Sequence, residues 1–171
     1  MNRTLRRLDS IHSRLLDTIS PIGDPLFSRK PTDQEWSIAQ IVHHLCLVEE
    51  RVIKELETEL AGPSRRIGLL RKLVPTSIVA SRLVRVKAPR SVMPLSRPTR
   101  IEVIANYEAA RSKLKELCSN CGRNRLKQVV FKHPFLGEID GTATISFLGY
   151  HELRHYKQSR EVIKKLARSR S

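Results

Sequence analysis

The chain has 171 residues, a net charge of +15, and 40% hydrophobic and 29% charged residues, a length and composition expected of one domain spanning 1–171 with its own core. No apolar run reaches the roughly 18–20 residues that span a bilayer, and the opening "MNRTLRRLDS" is charged, unlike a secretion signal. Three cysteines are too few for a disulfide framework, so a cytoplasmic chain with free thiols is expected.

The first segment covers roughly residues 2–20. Leu5, Leu8, Ile11, Leu15 and Ile19 recur at helical steps, and Pro21 and Gly23 end the pattern. The second begins at Trp36. Ser37 and Gln40 have capping-box spacing, and Trp36 with Ile41 fits a hydrophobic staple. Ile38, Ile41, Leu45, Val48, Val52 and Leu56 then form one stripe, closed by Gly62 and Pro63.

The third segment starts after Pro98, where Thr99 and Glu102 repeat the capping-box spacing. Val103, Tyr107, Ala110, Leu114 and Leu117 follow, and Gly122 is expected as a left-handed cap just beyond the end. The run "VVFKHPFLGEIDG" predicts a hairpin or an irregular loop. The fourth helix is predicted from near Thr142 to about Leu166. Four amphipathic helices of similar length predict an all-α four-helix bundle. The long connection between the second and third, roughly residues 61–98, allows a parallel crossover and favours up-down-down-up order.

That crossover is unusually basic, with ten Lys or Arg and no Asp or Glu between Gly62 and Arg100. Such a block is either a solvated, solubilising stretch or an attractor for nucleic acid or an anionic membrane. It has no aromatic residue to stack on bases. Its stretch "RIGLLRKLVPTSIVASRLVRV" predicts a short amphipathic helix split at Pro75.

The fourth helix contains "YHELRH", Tyr150 to His155, an H-E-x-x-H pattern. With ~100° per residue, His151 and His155 fall within about 60° of the direction of Leu148, inside the apolar stripe. Burying polar groups there without partners costs roughly 2–7 kcal/mol each. Either a shared metal ion or hydrogen bonds to core neighbours can compensate, since an i, i+4 pair of histidines can bind one ion. Zincin proteolysis lacks its context: nothing after His155 is His, Asp or Cys, and Glu161 points elsewhere on the same helix. A third ligand must come from upstream. On the second helix His44 flanks the apolar stripe and His43 points to solvent. His12 also lies on an inward stripe, and His133 in the loop is within reach of a cavity mouth.

"WSIAQIVHHL", "HPFLG" and "YHELRHYKQS" together resemble the DinB-like, or YfiT-like, metalloenzymes. The order and spacing match over nearly the whole chain. The resemblance implies an up-down-down-up bundle and a divalent metal, zinc or nickel, on three histidines with an open position. Carried over, these are His44, His151 and His155. It also implies a small-molecule substrate, a homodimer, and either hydrolysis or thiol-dependent S-transfer or isomerisation with a low-molecular-weight thiol. The basic crossover departs from the pattern.

Three neutral imidazoles leave a metal its full charge, so a bound water drops to a pKa near ~7 and a bound thiol loses its proton. Glu152 is a candidate general base or orienting carboxylate; the plainer alternative is an ion pair with Arg111 or another basic residue. Glu49 reads as a structural ion pair, and Gln158 as a residue that hydrogen-bonds across the site. Cys118 and Cys121 form C-x-x-C at a helix end, where the dipole raises thiol pKa values, so the motif reads as chance. Cys46 reads as core packing.

Overall fold

A computed structural model describes residues 2–65, 67–68, 89–133 and 136–168. The helices are α1 (Asn2–Ile19), α2 (Asp24–Ser28), α3 (Ile38–Ala61), α4 (Arg100–Leu126) and α5 (Gly141–Arg168). Strands β1 (Val130–His133) and β2 (Gly137–Asp140) form an antiparallel hairpin between α4 and α5. The helix predicted around Pro75 lies outside the described residues, as does most of the basic block.

Each predicted stripe is a buried face. Leu5, Leu8, Ile11, Leu15 and Ile19 of α1 are buried, as are Ile38, Ile41, Leu45, Val52 and Leu56 of α3. Val103, Tyr107, Ala110 and Leu114 supply the α4 face, and Leu148, Val162 and Leu166 that of α5.

The long helices run in two parallel pairs. On α1 and α5, Arg7 meets Tyr150 and Arg14 covers the ring of Tyr156, so both numbers rise together. On α3 and α4, Glu49 meets Arg111, and further along Arg125 donates to the Leu60 carbonyl. α1 turns back into α3 and α4 turns back into α5, giving up-down-down-up order. Two arginines tie the ends. Arg125 Nη2 caps α3 through the carbonyls of Leu60 (2.9 Å) and Gly62 (2.8 Å). Arg100, the first residue of α4, donates to the carbonyls of Ser20 (2.9 Å) and Ile22 just past α1. Both supply donors to carbonyls that a helix end leaves unmatched.

Ser37 caps α3 in a complete capping box with Gln40. α4 runs further than its periodicity predicts. Gly122 breaks it at φ 69° and ψ 167°, a region essentially reserved for glycine, and one more turn buries Leu126. Gly122 is thus a break within the helical run, not its end. α5 starts at Gly141 because the chain there abuts the end of α4. A β-carbon on Gly141 would lie 2.7 Å from the Leu126 carbonyl oxygen. Asp140 caps α5, its Oδ1 accepting from Ala143 N at 2.8 Å. Among the described residues no helix is long and apolar enough to cross a membrane.

Candidate metal centre

The centre forms where α3 faces α5. His44 projects from α3, and His151 and His155 from successive turns of α5. One ring nitrogen of each lies within 4.8 Å of the others. His151 Nε2 is 3.4 Å from His44 Nε2 and 3.2 Å from His155 Nε2.

Hydrogen bonds on the far side of two rings set their tautomers. His44 Nδ1–H donates to the Val92 carbonyl at 2.7 Å. His155 Nδ1–H donates to Gln158 Oε1 at 2.8 Å. With the neutral rings protonated at Nδ1, both present an Nε2 lone pair to the same point. The single nitrogen of His151 that faces them could offer a proton to only one. Burial, then the neighbouring histidines, pushes His151 and His155 well below the ordinary histidine range. His44 is also lowered, chiefly by burial. Neutral imidazoles with converging lone pairs are the donor set a divalent cation needs, so these residues fit one.

Aromatic rings wall the cluster on two sides. Trp36 lies 4.9 Å from His44, centroid to centroid, and stacks over His155 at 6.2 Å. Phe147 stacks on His151 at 5.4 Å. The turn carrying Val92 (Arg90–Val92) is held to α3 by neighbours of His44. Gln40 Nε2 donates to the Leu95 carbonyl at 3.2 Å, and Leu95 N–H donates to His43 Nδ1 at 3.0 Å. His43 is therefore half-buried against the chain, not free in solvent, and stays outside the cluster.

The other histidines are also elsewhere. His133 packs its ring 4.5 Å from Phe147, and its Nδ1 accepts from Leu136 N–H at 3.1 Å. His12 packs against Tyr107 at 4.5 Å, in a second buried polar cluster. At its heart, Arg111 forks onto Glu49 through Nε (2.7 Å) and Nη2 (3.0 Å). Nη2 also reaches Glu152 Oε2 at 3.1 Å. Glu152 is 2% exposed, and its Oε1 accepts from the Tyr107 hydroxyl. His12 Nδ1 lies 3.3 Å from that same oxygen, off hydrogen-bonding geometry. Burial pushes the Glu49 carboxyl up despite Arg111, and Tyr107 well above the tyrosine range. The plain alternative for Glu152, a pair with Arg111, is thus present, and so is the structural pair of Glu49. Burial pushes the Cys118 thiol up to about 12 and raises Cys121 too, so neither is poised for redox chemistry.

In the sequence Trp36 reads as a staple and as the start of a family motif, not as a wall of the site, and Phe147, Val92 and the reach of Arg111 go unread. Arg111 carried a signal: it stands in the apolar stripe between Tyr107 and Leu114, where a charge breaks the pattern. Val92 carried none, because its backbone carbonyl does the work.

The sequence profile of the DinB superfamily matches residues 7–159, which include all three histidines and both polar clusters. The chain belongs to the DinB superfamily. Within reach of it is the uncharacterized protein YuaE of Bacillus subtilis (strain 168), 24% identical over 150 residues, 86% of this chain and 90% of YuaE. Two solved structures share the fold seen here. One is TT2238, described as a four-helix bundle protein: 21% identity, TM-score 0.64, covering 94% of this chain and 98% of that one. The other is YfiT from Bacillus subtilis: 14% identity, TM-score 0.68, covering 97% and 87%. YfiT is described as a probable metal-dependent hydrolase with an unusual four-helix bundle topology.

Proposed function

We propose that His44, His151 and His155 hold one divalent ion, zinc or nickel, and that the chain is a metal-dependent enzyme acting on a small molecule. The observation that carries this reading is the convergence of three neutral imidazole nitrogens, two with tautomers set from behind. The description of YfiT supports hydrolysis, and the donor set is equally suited to thiol transfer. Bound there with an open position, the ion would supply Lewis acidity that lowers the pKa of a water or a thiol.

The chain's own residues do the rest. Val92 and Gln158 orient the imidazoles, as outer partners of metal ligands do. Trp36 and Phe147 keep water from two sides of the rings and give a substrate flat apolar walls. Glu152, with both oxygens engaged by Arg111 and Tyr107, acts on the position of α5 and not as a proton acceptor.

Metal analysis of the purified protein tests the reading, followed by spectra of the cobalt form with a small thiol, azide, and hydrolysable esters or amides. One divalent ion per chain and bands that shift with an added ligand are expected. No bound metal and no effect of zinc, nickel or cobalt on the melting temperature would remove it. Bands that answer to thiols but to neither esters nor amides select transfer over hydrolysis.

A further inference from the structure

The three histidines straddle a seam. α1 lies along α5 and α3 along α4, so His44 belongs to one pair of helices and His151 and His155 to the other. The distance across that seam, and the register along it, decide whether the three Nε2 atoms meet. Two buried side chains of α4 span it with directional bonds: Tyr107, whose hydroxyl donates to Glu152 of α5, and Arg111, which reaches furthest. From α4, Arg111 reaches all three other long helices. It forks onto Glu49 of α3 at 2.7 and 3.0 Å, donates to Glu152 of α5 at 3.1 Å, and donates through Nη1 to the Leu8 carbonyl of α1 at 3.3 Å.

Its carboxylate partners stand close in sequence to the histidines. Glu49 is five residues beyond His44, about 7.5 Å along the helix, and Glu152 directly follows His151. Guanidinium is also only 4% exposed as part of Arg111, so water does not loosen these bonds. Apolar packing alone tolerates a small slide of one helix past another. A planar fork on two carboxylates does not, because it fixes both distance and orientation.

We propose that Arg111 is a positioning residue for the three-histidine centre: it sets the α3–α5 separation at which one ion can be shared. This rests on the reading of those histidines as a metal site. The test is Arg111→Lys, which keeps the charge and loses the fork. Folding is followed by circular dichroism, cobalt affinity by competition with a chromophoric chelator, and ligand geometry by the cobalt spectrum. Expected is a folded variant whose affinity drops about 10–100-fold, as for lost outer-shell support, with altered cobalt bands. A role limited to stability would lower the melting temperature and leave affinity and bands as in the parent, which would overturn the proposal.

Should the lysine variant not fold, the combination Glu49→Leu, Tyr107→Phe, Arg111→Met and Glu152→Leu fills the seam with apolar groups, a replacement that buried ion pairs often tolerate. It should fold and show the same loss of affinity; parental affinity in it would equally overturn the proposal. A parent chain that binds no cobalt removes the metal reading itself. A parent that binds and a folded variant that binds as well remove only the role of Arg111.

Discussion

Gln158 accepts the Nδ1 proton of His155 at 2.8 Å, three residues along the same helix. The bond turns the ring and leaves Nε2 bare toward the other histidines. Gln158→Leu removes the acceptor at similar size and should weaken zinc binding about 10–100-fold, with little change in the melting temperature of the metal-free chain. Gln158→Glu keeps an acceptor and should retain affinity. Chelator competition reads both, and equal affinity in the Leu variant would count against an orienting role.

The histidines also predict how stability follows pH. In the folded chain His151 and His155 are held well below the ordinary value, first by burial. Unfolded, they titrate near ~6.5. Between those two values the unfolded chain binds more protons, so stability rises with pH there. The metal-free protein should hold this contribution in full above about pH 6.5 and lose it as the pH falls. Glu49, pushed up by burial, works in the opposite sense nearer the carboxylate range. The variant His151→Gln/His155→Gln separates the two, and melting curves from pH 8 down to pH 5.5 should slope less in it. An identical slope would mean the histidines do not cause it.

Two glycines of α5 should respond oppositely to alanine. At Gly141 the new methyl would meet the Leu126 carbonyl and Val129 Cγ2, both at 2.7 Å. The backbone cannot yield easily, so a loss of about 1–3 kcal/mol is expected. At Gly149 the nearest atom is Leu8 Cδ1 at 3.8 Å, an ordinary contact. Alanine there should stabilise by about 0.4–1 kcal/mol, mainly through the unfolded chain. Urea unfolding checks both. A stabilising Gly141→Ala would mean that α4 and α5 do not abut at this point.

The helices were legible because burial repeats with the helical period: the stripe Leu5 to Ile19 has the same members on paper and in space. Ser37 and Gln40 declared the start of α3 because a cap is a local hydrogen-bond problem. Face arguments put His151 and His155 inside one stripe and His44 beside another, with His12 left as a rival; the family resemblance named the set of three that the fold brings together. Contacts made through backbone carbonyls stayed hidden. Val92 and Leu95 hold His44 and His43 through main-chain atoms that any residue possesses. Gly122 announced a positive φ, but not that the chain would resume its helix to bury Leu126. His12 shows the limit of the face argument: its stripe is buried as read, yet the neighbours there are Tyr107 and Glu152, not the other histidines.

Adjacent histidines on α3 give the sharpest test of the ligand set. His44 turns its Nε2 into the cluster, while His43 accepts from Leu95 N–H at 3.0 Å and helps anchor the stretch that carries Val92. A metal that binds only the folded chain stabilises it by about 4 kcal/mol at ~1,000 times its dissociation constant. Added zinc or nickel should therefore raise the melting temperature and chelation should reverse the rise. His44→Ala, His151→Ala and His155→Ala should each abolish that response. His43→Ala should keep it, with affinity lowered a few-fold because the Val92 carbonyl is less firmly held. His12→Ala should keep it too, since His12 packs on Tyr107 at 4.5 Å in the other cluster. Loss of the response in His12→Ala together with its survival in His44→Ala would move the third ligand to α1 and overturn the set. Loss in His43→Ala, with His44→Ala intact, would instead rotate α3 and exchange the two residues' roles.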